Sequence, residues 1–289
     1  MTTECRKILT MLAEQKISVA EAEGLLDALE RAPESTPELE INVITQHATL
    51  QKTLDEGRKA ASTNVPILVV GETGTGKELV ARLIHQTSPR RDKPFIAVNC
   101  TAIPGTLFES EIFGHERGAF TGANQRKRGM IEQADDGTLF LDEIDGLSSS
   151  VQVKLHRFMG TRKFERIGGT EKIRCDVRVI AATHLSTEML VNKLRQDLFE
   201  RLSTITLELT PLRDRKEDIP LLVDHFLEER AKEHNRPVPT LAPEAMDALM
   251  AYDWPVNVRE LARAIERAVV LCDGEIGVEN LPKELIETA

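Results

Sequence analysis

Short apolar runs alternate with helical patterns through the middle of the chain. The runs are mostly apolar, so both faces of the corresponding strands are expected to be buried. Such strands, when separated by helices, are typical of a mostly parallel sheet between two helical layers. We therefore predict an α/β fold for residues 41–211. The five predicted strands are Val65–Val70, Phe95–Asn99, Thr138–Leu141, Val177–Ala182 and Ile205–Leu209.

The pattern changes after Pro211, and no further strand is predicted there. Three helical patterns follow, near Ile219–His234, Pro243–Tyr252 and Val256–Leu271. In the last of these, apolar residues recur at helical spacing. We predict that residues 212–289 form a separate, small, all-helical lid subdomain.

The first 32 residues predict a short helical hairpin. Ser18 followed by Glu21 forms a capping box that would begin the second helix. A hairpin of this size buries little surface alone, so we expect residues 1–32 to be a regulatory or interaction module. Residues 33–40 contain two prolines and excess acid, which indicates a linker. The apolar positions of the two helices are Ile8, Leu9, Leu12, Leu25, Leu26 and Leu29.

Composition and charge restrict the choice of partners. The chain has 289 residues, with 41% hydrophobic and 29% charged, which is ordinary for a globular protein. Its formal net charge of −10 repels a phosphate backbone, and the only dense basic run is Arg126–Arg128. We therefore expect no direct DNA binding by this chain. Neither a signal sequence nor a run of about 18 apolar residues is present, which predicts a cytoplasmic protein without membrane contact.

The cysteines do not predict a metal site or a disulfide framework. Cys5, Cys100, Cys175 and Cys272 are scattered along the chain and form no C-x-x-C pair. Such spacing suits a reducing compartment.

A glycine-rich loop connects the strand VPILVV to the helical pattern ELVARLIH. Its glycines allow backbone N–H groups to wrap phosphates, while Lys77 neutralises charge and the helix N-terminus adds its dipole. This context predicts a P-loop that binds ATP. The alternative is a simple glycine turn followed by a coincidental lysine. The predicted nucleotide-binding residues here are Gly71, Glu72, Thr73, Gly74, Thr75, Gly76, Lys77 and Glu78.

Two carboxylates follow the apolar strand Leu139–Leu141. The carboxyl ends of strands form the edge at which open α/β sheets bind ligands. We predict that Asp142 holds Mg²⁺ and that Glu143 orients and deprotonates the attacking water. Position 78 usually carries Ser or Thr for the metal, so the glutamate there leaves more of the coordination to Asp142, phosphates and water. The alternative is a solvated acidic strand end.

From about Val43 to Leu281 the chain resembles the central domain of bacterial sigma-54-dependent transcription activators, a branch of the AAA+ ATPases. The matching stretches are GETGTGKELVARLIH, FESEIFGHERGAFTGA, GTLFLDEI, PLRDRKEDIP and WPVNVREL. The resemblance implies hydrolysis of ATP to ADP and phosphate, a homo-hexameric ring, and sigma-54 RNA polymerase as partner. Glu78 is usual in this family.

The most diagnostic stretch is a hexapeptide that the family uses, at the tip of a loop, to grip sigma-54. Small residues flank Phe120 and Thr121, which favours a slim, flexible loop with an aromatic suited to a partner. The alternative is a glycine-rich turn with Phe120 folded into the core. The partner-binding residues implied are Gly118, Ala119, Phe120, Thr121, Gly122 and Ala123.

The resemblance also implies roles outside these motifs. Asn99 matches the residue that restrains the catalytic glutamate, and Thr183 with His184 matches the first sensor of the γ-phosphate. Arg195 and Arg201 match arginine fingers that reach the ATP of a neighbouring subunit; surface ion pairs are the alternative. The remaining matches are the second sensor Arg259 and the adenine-side residues Val43 and Ile44.

Three positions depart from the family pattern, with Thr45, Asp136 and Val256 standing where glycine is common. The sequence shows neither a helix-turn-helix nor a receiver domain, so we expect DNA to be reached by another route. Two other functions stay open. One is an AAA+ ATPase that remodels a different protein recruited by the hairpin, and the other is a nucleotide-dependent regulatory binding module.

Overall fold

A computed structural model of the chain describes residues 41–103 and 105–286, so the predicted hairpin and the predicted linker lie outside the described residues. The helices are α1 (Ala48–Ala61), α2 (Lys77–Gln86), α3 (Gly105–Phe113), α4 (Met130–Gln133), α5 (Ser149–Thr161), α6 (Thr187–Val191), α7 (Gln196–Leu202), α8 (Asp218–Glu233), α9 (Pro243–Ala251), α10 (Asn257–Leu271) and α11 (Lys283–Ile286). The strands are β1 (Ile67–Val70), β2 (Phe95–Asn99), β3 (Gly114–His115), β4 (Lys127–Arg128), β5 (Thr138–Asp142), β6 (Lys163–Phe164), β7 (Ile173–Arg174), β8 (Arg178–Thr183), β9 (Ile205–Glu208), β10 (Thr240–Leu241) and β11 (Glu275–Ile276).

Five parallel strands form the central sheet in the order β2-β5-β8-β1-β9. Every residue of β1 and β8 is buried, as expected for inner strands covered by helices on both faces. The predicted α/β fold is therefore confirmed. The largest difference in strand bounds is at β1, which was predicted from Val65 and begins at Ile67.

The sheet order determines which loops meet at its carboxyl edge. Strand β8 lies between β5 and β1, and Thr183 pairs with Val70 at the end of both strands. On the other side, Asn99 pairs with Asp142. The predicted phosphate loop, acidic pair and first sensor therefore follow three adjacent strands.

Helix α10 dominates the core of the lid because its apolar stripe recurs at helical spacing. Leu261, Ile265 and Val269 are buried against α8 and α9, and Trp254 is fully buried just before the helix. The indole Nε1 of Trp254 donates to the carbonyl of Leu249 at 2.9 Å, which satisfies its polar atom inside the core. The three lid helices predicted from the sequence are present. No helix in the described ranges combines the length and apolarity needed to cross a bilayer.

The lid also contains a short β-ladder, which corrects the prediction that no strand follows Pro211. Strands β10 and β11 pair in parallel, with Thr240 opposite Glu275 and Leu241 opposite Ile276. Two residues per strand are too few to produce a recognisable alternation in the sequence. The correction leaves the helical character of the lid unchanged.

One of the departures from the family pattern has a visible backbone consequence. Asp136 has φ 61°, in the left-handed region that favours glycine. It lies in the turn that leads into β5, where the family commonly has glycine. Aspartate is among the side chains that tolerate this region best, so the turn is kept.

Candidate functional site

The phosphate loop lies between the end of β1 and the start of α2. Gly74 and Gly76 have φ values of 82° and 100°, and Gly76 is the N-cap of α2. A Cβ added at Gly74 would lie 2.0 Å from the carbonyl oxygen of Val256, so that position also has no room for a side chain. The loop therefore requires glycine for its conformation and for its approach to the lid. It presents the N-terminus of a helix, where anions bind.

Lys77 is folded back within this loop. Its side chain is buried, and Nζ donates to the carbonyl oxygens of Gly71 at 2.8 Å and Glu72 at 3.2 Å. Burial lowers the pKa of Lys77, while the nearby carboxylates of Glu143 and Asp142 oppose that shift. The ammonium group of Lys77 is thus surrounded by the loop and attracted to Asp142 and Glu143, which lie at the end of β5 on the other side of β8.

Asp142 completes β5 beside this cation. Burial and the charge of Glu143 raise the pKa of its carboxyl group, and Lys77 opposes the increase. One carboxylate oxygen, Oδ1, accepts from the backbone N–H of Glu143 at 3.0 Å. A half-buried carboxylate next to a lysine and a glycine-rich cradle is a suitable ligand set for a metal bound to phosphates. The residues therefore fit Mg²⁺ with ATP.

Glu143 has a hydrogen-bond partner that the sequence did not predict. Its Oε2 lies 2.5 Å from Nδ1 of His184, at the end of the adjacent strand β8. Its backbone has φ 52°, an uncommon conformation for a residue other than glycine. On the same edge, the hydroxyl of Thr183 donates to Asp145 at 2.7 Å. The first sensor and the acidic segment are therefore joined by two side-chain hydrogen bonds.

Asn99 lies on the same edge but bonds to its own turn. Its Oδ1 accepts from the backbone N–H and hydroxyl of Thr101, at 2.9 and 2.7 Å, and from the backbone N–H of Ala102 at 3.1 Å. The structure shows no hydrogen bond between the described side chains of Asn99 and Glu143. The restraining role implied for Asn99 stays a prediction.

The carboxylate of Glu78 points to a neighbour on its own helix. It pairs with Arg82 at 2.7 Å, and both side chains are exposed. The pair follows the i, i+4 spacing that brings side chains together on a helix. Glu78 thus lies in the first turn of α2, where it shares its charge with Arg82, and its contact with the nucleotide stays a prediction.

The lid contacts the phosphate loop through residues that the sequence analysis did not select. Arg213 forms a two-point ion pair with Glu72, at 2.6 and 2.8 Å, which lowers the pKa of that carboxyl group. The amide of Asn257 donates to the carbonyl of Thr73 at 3.1 Å and to Glu72 at 3.2 Å. Both residues lie in the stretches PLRDRKEDIP and WPVNVREL, which could have identified them.

Arg259, the implied second sensor, follows two residues later on α10. Its backbone N–H donates to the carbonyl of Gly74 at 3.4 Å. The positive charge of its side chain also lowers the pKa of Lys77, so the two cations lie near one another. A polyphosphate bound near both cations would stabilise this arrangement of like charges.

The adenine-side segment is attached to the start of the lid helix α8. The hydroxyl of Thr45 donates to one oxygen of Asp218 and the N–H of Gln46 to the other, both at 2.7 Å. Asp218 is fully buried and also accepts from Arg215 at 3.2 Å. Ile44 packs against the lid core, and Val43 is half-buried nearby. Thr45 therefore fixes this segment through its hydroxyl, which glycine lacks.

The two predicted arginine fingers lie at opposite ends of α7. Arg195 is exposed at the N-cap and pairs with Asp197 at 2.9 Å. Arg201 is half-buried, with its guanidinium near Gly160 of α5. Within the described ranges, neither guanidinium forms a hydrogen bond to the phosphate loop of its own chain.

The hexapeptide occupies the tip of the loop between β3 and β4. Phe120 is 40% exposed, and its ring meets the edge of His115 at a centroid distance of 5.0 Å. Gly118 and Gly122 have φ values of 82° and 103°, and a Cβ added to either would meet no atom within 4 Å. Thr121 is exposed. The alternative in which Phe120 folds into the hydrophobic core is not what the structure shows.

Comparisons with known proteins agree with this geometry. A profile described as the Sigma-54 interaction domain matches residues 43–208, and one described as the AAA+ ATPase lid domain matches residues 213–289. The transcriptional regulatory protein ZraR of Salmonella typhimurium is 47% identical over 252 residues. The DNA-binding transcriptional activator HyfR of Escherichia coli K12 is 51% identical over 235 residues.

Solved structures of related proteins have the same fold. The crystal structure of NtrX from Brucella abortus in complex with ATP has a TM-score of 0.81 and 31% identity, covering 97% of this chain and 61% of that one. NtrX in complex with ADP has a TM-score of 0.80. The matches with ZraR and HyfR cover 86% and 81% of this chain but 57% and 35% of those proteins. The chain thus spans part of the length of the relatives it matches.

Proposed function

Because the chain belongs to the sigma-54 activator family of AAA+ ATPases, we propose that it is an ATP-hydrolysing ring motor that remodels sigma-54 RNA polymerase to activate transcription. The observation that carries the proposal is the combination of two features in one domain. A phosphate loop faces the acidic strand end, and the hexapeptide loop presents an exposed Phe120 and Thr121. The first feature supports ATP hydrolysis, and the second supports a protein partner.

ATP hydrolysis at this site requires positioning and charge stabilisation more than covalent chemistry. The backbone of residues 71–78, with Lys77 and Arg259, binds the phosphates. Asp142, together with phosphates and water, would hold Mg²⁺, which would supply positive charge near the terminal phosphate. Glu143 orients the attacking water and accepts its proton, a role worth about 10²–10⁴ in rate.

In a ring, each subunit can supply positive charge to the ATP site of its neighbour. Arg195 and Arg201 do not bond to their own phosphate loop, and Arg195 is on the surface. In a homo-hexamer these arginines reach the ATP of the neighbouring subunit. Such fingers contribute about 10³–10⁵ to the rate of phosphoryl transfer. Hydrolysis therefore depends on assembly.

The hexapeptide loop transmits the cycle of ATP binding and hydrolysis to the partner protein. Its base is the pair β3–β4, and the carbonyl of Ile167 accepts from the N–H of Glu116 at 3.0 Å, which ties the base to the β6–β7 hairpin. Bound ATP raises the loop toward sigma-54, and release of phosphate withdraws it. DNA binding by this chain is not required by this mechanism.

The decisive experiment is the substitution Thr121→Ala. Wild-type protein should capture purified sigma-54 in the presence of an ADP–metal-fluoride analogue, and Thr121→Ala should abolish the capture while ATPase activity remains. Thr49→Ala, an exposed threonine on α1, is the matched control and should leave both unchanged. Capture of sigma-54 by Thr121→Ala at the wild-type level contradicts the proposed role of the loop.

A further inference from the structure

A cavity of about 340 Å³ lies between α5 and the β6–β7 hairpin, away from the phosphate loop. Phe164 and Ile167 form its apolar floor, next to the fully buried ring of Phe113, whose centroid lies 6.0 Å from that of Phe164. The volume is within the range of sites that enclose a small ligand or one side chain of a partner. The hairpin itself is short, with Lys163 paired to Arg174 and Phe164 to Ile173.

The rim of this cavity is cationic in a chain of net charge −10. Five basic residues line it, and Glu165 is the one carboxylate among the lining residues. Lys154 and Arg166 are already neutralised by other acids. In the part of the chain that the structure describes, the other three form no ion pair. These three exposed cations are Arg157, Lys163 and Lys172.

The cavity adjoins the hexapeptide loop. The backbone N–H of Ile167 donates to the carbonyl of Gly114 at 3.0 Å, at the base of that loop. A Cβ added at Gly168 would lie 2.7 Å from the Cβ of Ala119, so the hairpin turn and the loop are in close contact. A partner held by the loop would therefore lie close to the cavity.

We propose that this cavity binds an acidic segment of the partner protein, with one aromatic or large aliphatic side chain against Phe164 and Ile167 and flanking carboxylates on Arg157, Lys163 and Lys172. The proposal rests on the proposed function, because it specifies the chemistry of the sigma-54 segment that the loop engages. It adds a second point of contact, selected by charge, beside Phe120 and Thr121.

The composition of the cavity favours a peptide over other anions. An inorganic anion would leave the apolar floor without a partner, whereas an apolar side chain would bury the exposed parts of Phe164 and Ile167. Three separate cations around an apolar centre match alternating acidic and apolar side chains. Opposite charges on the two surfaces also speed association and suppress wrong partners. A nucleic-acid strand is disfavoured by the overall negative charge.

The first test uses the full chain and a fluorescein-labelled peptide with one phenylalanine between glutamates. We expect saturable binding by fluorescence anisotropy that weakens as salt is raised. The double substitution Lys163→Glu and Lys172→Glu should weaken it at least tenfold, which corresponds to about 1.4 kcal/mol. The control is the double substitution Lys52→Glu and Lys59→Glu, which makes the same charge change at two exposed lysines of α1. This control should bind the peptide more tightly than the cavity variant does.

Several outcomes overturn the inference. One is binding by the cavity variant equal to that of the α1 variant, because the effect would then be net charge alone. Another is equal binding of a peptide with serine in place of phenylalanine, because the apolar floor would then be unused. A third is the absence of saturable binding. Melting temperature checks folding, and Arg157→Gln is a milder variant with the same expected direction.

The second test separates this inference from the proposed function. Capture of sigma-54 with the ADP–metal-fluoride analogue is compared for Thr121→Ala and for the cavity double variant. Reduced capture by both supports the inference. If Thr121→Ala loses the capture of sigma-54 and the cavity variant captures it fully, the proposed motor function stands. The proposal that the cavity binds the partner is then refuted. If wild-type protein does not capture sigma-54, the proposed function fails, and the peptide assay alone decides whether the cavity binds acidic segments.

Discussion

The imidazole Nδ1 of His184 lies 2.5 Å from Oε2 of Glu143, so the residue that follows β8 holds the carboxylate that we assign to water activation. Asn99, which the family resemblance assigns to that restraint, instead accepts hydrogen bonds from Thr101 and Ala102. The side chain of Glu143 is thus oriented by the sensor strand. A change in that strand caused by the γ-phosphate would reach Glu143 through one hydrogen bond.

Glu143→Gln should abolish turnover while ATP binding persists. The amide keeps the size of the carboxylate but cannot accept the proton of water. We expect phosphate release to fall at least about 100-fold, with little change in the affinity for a fluorescent ATP analogue. Retained hydrolysis would overturn the assignment of the catalytic base.

The arginine fingers predict recovery of activity when two inactive variants are mixed. Arg201→Ala subunits keep their own Glu143, and Glu143→Gln subunits keep their Arg201. Alone, Arg201→Ala should lose about 10³-fold or more of the activity, and Glu143→Gln at least about 100-fold. A mixed ring creates interfaces with an intact base and an intact finger, so phosphate release should increase on mixing. The absence of recovery would indicate that Arg201 acts within its own subunit or has only a structural role.

Asp142→Asn should stabilise the protein without nucleotide while weakening Mg²⁺-dependent ATP binding. Burial and Glu143 raise the pKa of Asp142 in the folded state, so its ionised form is less favourable there than in the unfolded chain. This destabilisation is present above the raised pKa, decreases as pH falls through it, and is absent below the ordinary carboxyl pKa.

The measurement is thermal unfolding as a function of pH, in which each kcal/mol corresponds to about 2–4 °C for a domain of this size. The increase in melting temperature of Asp142→Asn should be largest near neutral pH and should disappear in acid. Asp273→Asn, at an exposed site, serves as the control with little expected change. A lower melting temperature for Asp142→Asn at neutral pH would contradict the prediction.

Arg178→Ala should be strongly destabilising, although Arg178 is remote from the proposed chemistry. Its side chain is fully buried, and its guanidinium donates to the carbonyls of Ala60 and Ala61 at the end of α1. Burial lowers its pKa to about 10. Truncation leaves a cavity and two carbonyls without donors, so we expect a loss of about 3–5 kcal/mol in urea unfolding.

The control for this substitution is Arg58→Ala, which removes an exposed ion pair with Asp55 and should cost less than about 1 kcal/mol. Similar losses for both variants would show that the buried hydrogen bonds of Arg178 contribute little.

The elements that the sequence predicted best are those defined by continuous local patterns. Strands β1 and β8 are buried on both faces, so β1 is entirely apolar and β8 has the apolar run Val179–Ala182 at its centre. The phosphate loop is equally local, because its glycines, lysine and flanking elements follow one another. The ladder of β10 and β11 was missed because each strand has two residues and its partner is distant in the chain.

The contacts that the sequence could not reveal depend on the order of strands and on lid packing. His184 meets Glu143 because β8 lies next to β5, and the sequence contains the strands but not their order. Glu72 and Arg213 form an ion pair across 141 positions, and Thr45 and Asp218 across 173. Each of these residues appears in isolation as an ordinary surface charge or hydroxyl.

The missing side chain at Gly74 determines how motion can pass between the two subdomains. Because its backbone lies directly against the carbonyl of Val256, the loop and the first residues of α10 touch without any intervening atoms that could absorb a displacement. A rotation of the lid must therefore either move the loop as well or separate the loop from the lid next to the phosphates of a bound nucleotide. Because Gly74 permits this proximity, we expect the position of the lid to depend on whether the loop holds a nucleotide.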